Sequence, residues 1–127
     1  MDKLKTGQLG EKLAARHLKK NGYRILERNS HHSHSEIDII AVNKLYIVFV
    51  EVKTRTTDQE MYLYYGSPAS AVDRAKQQRI LNGARAYLQS TKYSSKQPRF
   101  DVIEVFLNKD DLNLIKINHI ENAFGIR

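Results

Sequence analysis

The sequence contains no cysteine. That excludes disulfides, thiolate zinc sites and a cysteine nucleophile, and it fits a reducing compartment. Glycine and proline are scarce, at 6 and 2 residues, and neither a disordered nor a fibrous composition results. Long apolar runs are missing as well. The longest, Leu45 to Val50, is far too short to span a bilayer. The opening "MDKLKTGQLGEKLAARHLKK" lacks the apolar stretch of a signal peptide. These absences predict a cytoplasmic protein with no membrane attachment. The 127 residues, 41% hydrophobic and 28% charged, suit one domain over residues 1–127. A chain of this size buries roughly two-thirds of its unfolded surface. With 21 basic and 14 acidic residues the formal charge is +7, which favours a polyanion: DNA or RNA ahead of an anionic membrane.

Lys3 to Lys20 reads as a helix, with Asp2 or Thr6 as its cap and Gly22 as its stop. On a helical wheel Leu4, Glu11 and Leu18 share one line, flanked by Gly7, Ala14 and Ala15. Glu11 therefore falls on the face expected to pack, where a charge needs a partner, a metal or water. The plainer alternative is a glutamate that favours the helix dipole and reaches solvent. Tyr23 to Glu27 reads as a short strand and "RNSHHSHS" (28–35) as a polar loop. Glu36 to Val42 and Leu45 to Thr54 read as a hairpin joined by a two-residue turn at Asn43-Lys44. Thr56 to Pro68 is a long connection. A second helix starts at Ser67-Pro68 and runs to about Gln89, its packed face holding Val72, Ala75, Ile80, Gly83 and Tyr87, with Lys76 in the same arc. Arg99 to Leu107 and Leu114 to His119 read as strands, and "IENAFGIR" as a short terminal helix. The order α-β-β-β-α-β-β predicts an α/β fold, one mixed central sheet flanked by helices.

The hairpin carries charges that a buried strand pair does not need. Side chains alternate across a strand, so Glu51, Lys53 and Arg55 face one way, and Glu36 and Asp38 share a face. A two-residue turn places Glu36 opposite Glu51 and Asp38 opposite Phe49. Asp38 and Glu51 then become diagonal neighbours, roughly 7–8 Å apart. A one-residue slip would put them on opposite faces. Clustered carboxylates repel one another and are costly to bury without a proton or cation. Mg2+ or Mn2+ suits them, with water completing the shell. Lys53 projects into the same space, where it can orient a water or steady a phosphorane-like charge. The metal would supply Lewis acidity and an activated water. Together these residues predict a phosphodiester-hydrolysis site. The alternative is a salt-bridge ladder on a solvated face, worth little per pair.

"EID" (Glu36–Asp38) followed by "VFVEVKTR" (Val48–Arg55) resembles the D-x12-E-x-K motif of the PD-(D/E)XK, or restriction-endonuclease-like, superfamily. The element order agrees with that superfamily's α-β-β-β-α-β core. Over nearly the whole chain the sequence more closely resembles the YraN family of small bacterial proteins, predicted endonucleases similar to Holliday-junction resolvases. The shared blocks are "GQLGEKLAARHL", "GYRILERN", "EIDIIA", "FVEVKTR", "AVDRAKQQRI", "RFDVIEV" and "HIENAF". The resemblance implies that Asp38 and Glu51 bind the metal and that Lys53 is the catalytic lysine. Glu11 matches the resolvase helix glutamate that supports metal binding. Glu36, Arg55, Lys76 and Asp101 match further polar positions and are assigned supporting roles. Ser35 replaces the glycine usual before "EID", and Ile37 replaces the nominal proline.

His31, His32 and His34 read as a polar loop or, less simply, as a zinc or nickel site. Tyr62, Tyr64 and Tyr65 read as a self-packed lid or as base-stacking and dimer contacts. Lys19, Lys20, Arg28 and Arg79 are candidate phosphate contacts, each adding about 0.9 to the salt dependence of binding. The expectation is a Mg-dependent endodeoxyribonuclease whose substrates include branched DNA. The alternative is a nucleic-acid-binding module that kept the fold and lost turnover. A resolvase requires two active sites and hence a homodimer; no residue pattern establishes one.

Overall fold

A computed structural model describes residues 3–61 and 72–125. Tyr62, Tyr64, Tyr65 and Ser67-Pro68 lie outside the described residues. The order is α1 (Lys3–Lys20), β1 (Arg24–His32), β2 (Ser35–Val42), β3 (Tyr46–Thr57), α2 (Arg74–Leu88), β4 (Gln97–Asn108) and β5 (Leu114–Phe124). The strands form one mixed sheet in the order β1-β2-β3-β4-β5. Only β3 and β4 are parallel, and α2 makes the crossover between them.

Strand alternation sends two sets of side chains to the two faces. Ala14, Ala15 and Leu18 of α1 pack on Ile39, Ala41, Val48, Val50, Ile103 and Val105. Ile80, Ala84 and Tyr87 of α2 pack on Ile40, Val42, Ile47, Phe49, Phe100 and Val102. Helix α1 lies directly on β3: a Cβ at Gly10 would stand 1.8 Å from Thr54 Oγ1. The helix ends in a Schellman closure. Tyr23 N donates to Leu18 O and Gly22 N to Lys19 O, with Gly22 at φ 89. Among the described residues, no helix is long and apolar enough to cross a membrane.

Several elements differ from the sequence expectation. Residues 28–35 are not a loop: β1 continues to His32, and Ser33-His34 alone make the turn, with φ of 53 and 62. That is a primed hairpin turn without the usual glycine or asparagine. Asn43-Lys44 is not a two-residue turn. Asn43 Oδ1 accepts from Leu45 N (3.0 Å) and Tyr46 N (2.8 Å), and Val42 pairs with Ile47. The register moves by two residues, which keeps the side chains of the paired stretch, Ile39–Val42 and Ile47–Val50, on their expected faces. Helix α2 begins at Arg74, where Asp73 caps it by accepting from Lys76 N at 2.8 Å. The tail forms no helix; β5 runs to Phe124, whose ring stacks on Phe100 at 5.4 Å. On α1, Leu4 is 70% exposed, and Thr6 is buried inside the helix rather than capping it.

Candidate active site

The β2–β3 ladder ends at Ile39↔Val50. One step further Asp38 faces Glu51, so the pair is opposed rather than diagonal. The ladder is replaced there by a side-chain bond: Val52 N donates to Asp38 Oδ2 at 2.8 Å. The strands fork at this point. Next to the fork, Asn29 of β1 has a left-handed φ of 51. Alternation also breaks across Asp38, since Ile37 joins the α2-side core and Ile39 the α1-side core. The acid is thereby turned toward the end of the sheet, between the two helices.

The fork opens a pocket of about 580 Å³. Glu11 enters it from α1, Glu36 and Asp38 from β2, Glu51 and Lys53 from β3, and Lys76 from α2. Glu51 is only 3% exposed. Burial, then the Glu51 carboxylate, pushes the Asp38 carboxyl up to about 7, against the Val52 N–H and Lys76. Burial likewise raises Glu11; Arg28 opposes this, and Glu36 adds to it. Among the described residues, buried Glu11 Oε1 has no hydrogen-bond partner, and Arg28 Nε forms a long ion pair with it at 3.8 Å. Lys76, in the capped first turn of α2, places Nζ 2.5 Å from Glu51 Oε1. A narrower arm of about 130 Å³ adds His34 and Arg79 beside the same acids.

The structure thus brings together Glu11, Glu36, Asp38, Glu51, Lys53 and Lys76. It does not bring Asp101 or Arg55 to the pocket. Asp101 is fully buried on the α1 side. Arg99 grips both its oxygens (2.9 and 2.8 Å), His119 Nε2 lies 2.7 Å away, and Asn122 N donates at 2.9 Å. Burial raises this carboxyl, but the His119, Arg99 and Asn122 hydrogen bonds hold it below the ordinary range. Arg55 Nε donates to buried Glu104 at 3.0 Å. Both groups are therefore structural pairs, formed because a buried charge needs a partner. Lys19 and Lys20 are exposed at the far end of α1, whereas Arg28 stands beside Glu11 and Arg79 lines the narrow arm. Of the three histidines in 31–34, only His34 lines the acid site; His32 lies 3.4 Å from Glu27.

Sequence reasoning missed Asn29, Lys3 and Gln8, which also line the pocket. Asn29 lay in a segment read as loop. Lys3 and Gly7 precede Glu11 at helical i, i+4 steps, a signal that the wheel carried.

Among the described residues, no three His, Asp or Glu side chains converge closely enough to chelate an ion by themselves. The donor set nonetheless fits a hard cation with a largely aqueous shell. It offers carboxylate oxygens on facing strands and an orphaned oxygen on Glu11. Lys76 holds the position beside Glu51 that such a cation would share.

Residues 10–105 match the model of a family described as "Uncharacterised protein family UPF0102". A UPF0102 protein of Caldanaerobacter subterraneus is 50% identical over 124 residues, covering 98% of each chain. One from Clostridium acetobutylicum is 46% identical, covering 96% of this chain and 95% of its own. One from Syntrophus aciditrophicus is 45% identical, covering 97% of this chain and 91% of its own. Family match and full-length similarity agree: the chain belongs to the uncharacterised protein family UPF0102.

Proposed function

We propose that this protein is a metal-dependent nuclease that hydrolyses DNA phosphodiester bonds, with branched DNA among its substrates. The observation that carries the reading is the strand fork, which sets Asp38 opposite Glu51 beside Glu11, whose buried Oε1 has no hydrogen bond among the described residues. Burial, and then neighbouring carboxylates, raise the proton affinity of Asp38 and Glu11, which is poorly explained by a solvated structural ladder. It is well explained as a site awaiting a cation. Glu11, Asp38 and Glu51 would hold Mg2+ or Mn2+, which would supply Lewis acidity and an activated water. Lys53 lines the same pocket and, among the described residues, its side chain has no hydrogen-bond or ion-pair partner. Its ammonium is free to donate to a non-bridging phosphate oxygen and to steady the charge that grows there. Lys76 neutralises Glu51 in the absence of a cation and can turn to a phosphate when one arrives. Exposed Arg28 and Arg79 flank the site on opposite sides, where they can grip the strand. Two cuts on a junction require two such sites, and so a homodimer.

A second reading, a binding module without turnover, is favoured by the close Lys76–Glu51 pair, which fills the cation's place. Cleavage of linear, flapped and four-way DNA in Mg2+ or Mn2+ separates the two. The nuclease reading expects cleavage by wild type and none by Asp38→Asn or Lys53→Ala. Binding without cleavage favours the module. Equal cleavage by all three proteins indicates a contaminant and removes the enzyme claim.

A further inference from the structure

Gly7 is a glycine that the fold does not require. Gly10 is demanded by contact with Thr54 and Gly22 by its φ of 89. At Gly83, a Cβ would stand 3.1 Å from both His32 O and Ser35 Cβ. Among the described residues, a Cβ on Gly7 would meet nothing within 4 Å. The residue sits inside α1 with a helical backbone, where glycine is weaker than alanine. Four residues before Glu11, it lies on the same helical face as that acid. It lines the acid pocket and also an adjoining pocket of about 360 Å³ that holds Lys3, Thr6, Thr54 and Thr56. Lys3, Gly7 and Thr54 line both pockets, and Gly7 puts no side chain between them. Among the described residues the adjoining pocket is lined by one ammonium, that of Lys3, which the acid pocket shares, and by threonine hydroxyls, with no carboxylate. That chemistry suits a phosphate.

We propose that Gly7 is the seat over which the sugar-phosphate backbone of the nucleic acid runs. The phosphate next to the reacting one then lies against Lys3 and Thr56. This rests on the nuclease reading of the acid pocket and adds a positioning residue to it. Close backbone approach is a recurrent use of glycine, and it accounts for a helix-weakening residue at an open position.

The test compares Gly7→Ala, Gly7→Leu and Lys3→Ala with wild type. Thermal unfolding is measured first. Affinity for fluorescein-labelled duplex and four-way DNA is then measured with Ca2+ in place of Mg2+, followed by cleavage in Mg2+. Gly7→Ala should unfold at the same temperature or higher. Gly7→Leu should remain folded yet bind DNA about tenfold or more weakly, with Gly7→Ala between it and wild type. Lys3→Ala should reduce the salt slope of binding by about 0.9. Wild-type binding and cleavage by Gly7→Leu would overturn the seat alone. A Gly7→Leu protein that fails to fold would contradict the open space on which the seat depends. A wild-type protein that binds none of the DNA forms would overturn the nuclease reading and the seat with it.

Discussion

Replacing Asp38 by asparagine should stabilise the protein at alkaline pH while removing its proposed activity. In the native protein burial and Glu51 raise this carboxyl from the ordinary 3.8 to about 7. Over that window the folded state holds a proton that the unfolded chain has released. Stability therefore falls as pH rises from about 4 to about 7, and the loss is complete above it. The full shift corresponds to about 4 kcal/mol, an upper bound because water relaxes around a group at a pocket mouth. Asparagine has no charge to desolvate, and its oxygen can still accept from Val52 N. At pH 8 in EDTA, Asp38→Asn should be more stable than wild type by about 1–3 kcal/mol, or several degrees in Tm. At pH 4 the difference should shrink toward zero, because the folded aspartate is then neutral and the unfolded one has only begun to release its proton. Calorimetry or circular-dichroism melts across this range read it directly. A destabilised Asp38→Asn at pH 8, or a Tm difference unchanged with pH, would refute the reasoning.

Lys76→Ala should lower stability in EDTA by about 1–3 kcal/mol, because buried Glu51 loses its counter-ion. Mn2+ should restore more of the Tm in that variant than it adds to wild type, as melts with and without metal will reveal. Gly10→Ala should cost about 1–3 kcal/mol or more, since the new methyl must displace β3 at Thr54; urea denaturation measures this. Asp101→Asn should cost about 3–5 kcal/mol by leaving Arg99 buried without its carboxylate. Cleavage per folded molecule should survive that change, because Asp101 stands outside the acid pocket.

The layered α/β architecture was legible because helical and strand periods differ in this sequence. The faces of the acids were legible for a narrower reason. Asn43 makes a longer turn than expected by bonding two backbone N–H groups, yet the resulting shift is even, so Asp38 and Glu51 still meet. An odd shift would have separated them. The Ser33-His34 turn escaped notice because neither residue is a usual left-handed one, and so the strand through His31 and His32 was read as loop. The wheel placed Leu4 and Gly7 with the packed residues because one turn of helix looks alike wherever it lies. Only the tertiary contact at Thr54 distinguishes Gly10, which packs, from Gly7, which does not. The Arg99–Asp101 pair was legible from their i, i+2 spacing on one strand, whereas strand order cannot foretell that His119 would enclose the same carboxylate.

In the proposed site one cation is shared by Asp38 and Glu51 with help from Glu11. Titration of the metal-free protein with Mn2+, followed by electron paramagnetic resonance, tests it most directly. A single class of site is expected, weakened in Glu11→Gln, abolished in Asp38→Asn and Glu51→Gln, and tighter as pH rises through 7 because the ion displaces the Asp38 proton. Mn2+ uptake unchanged in the Asp38 and Glu51 variants, or no uptake by the wild-type protein, would contradict it.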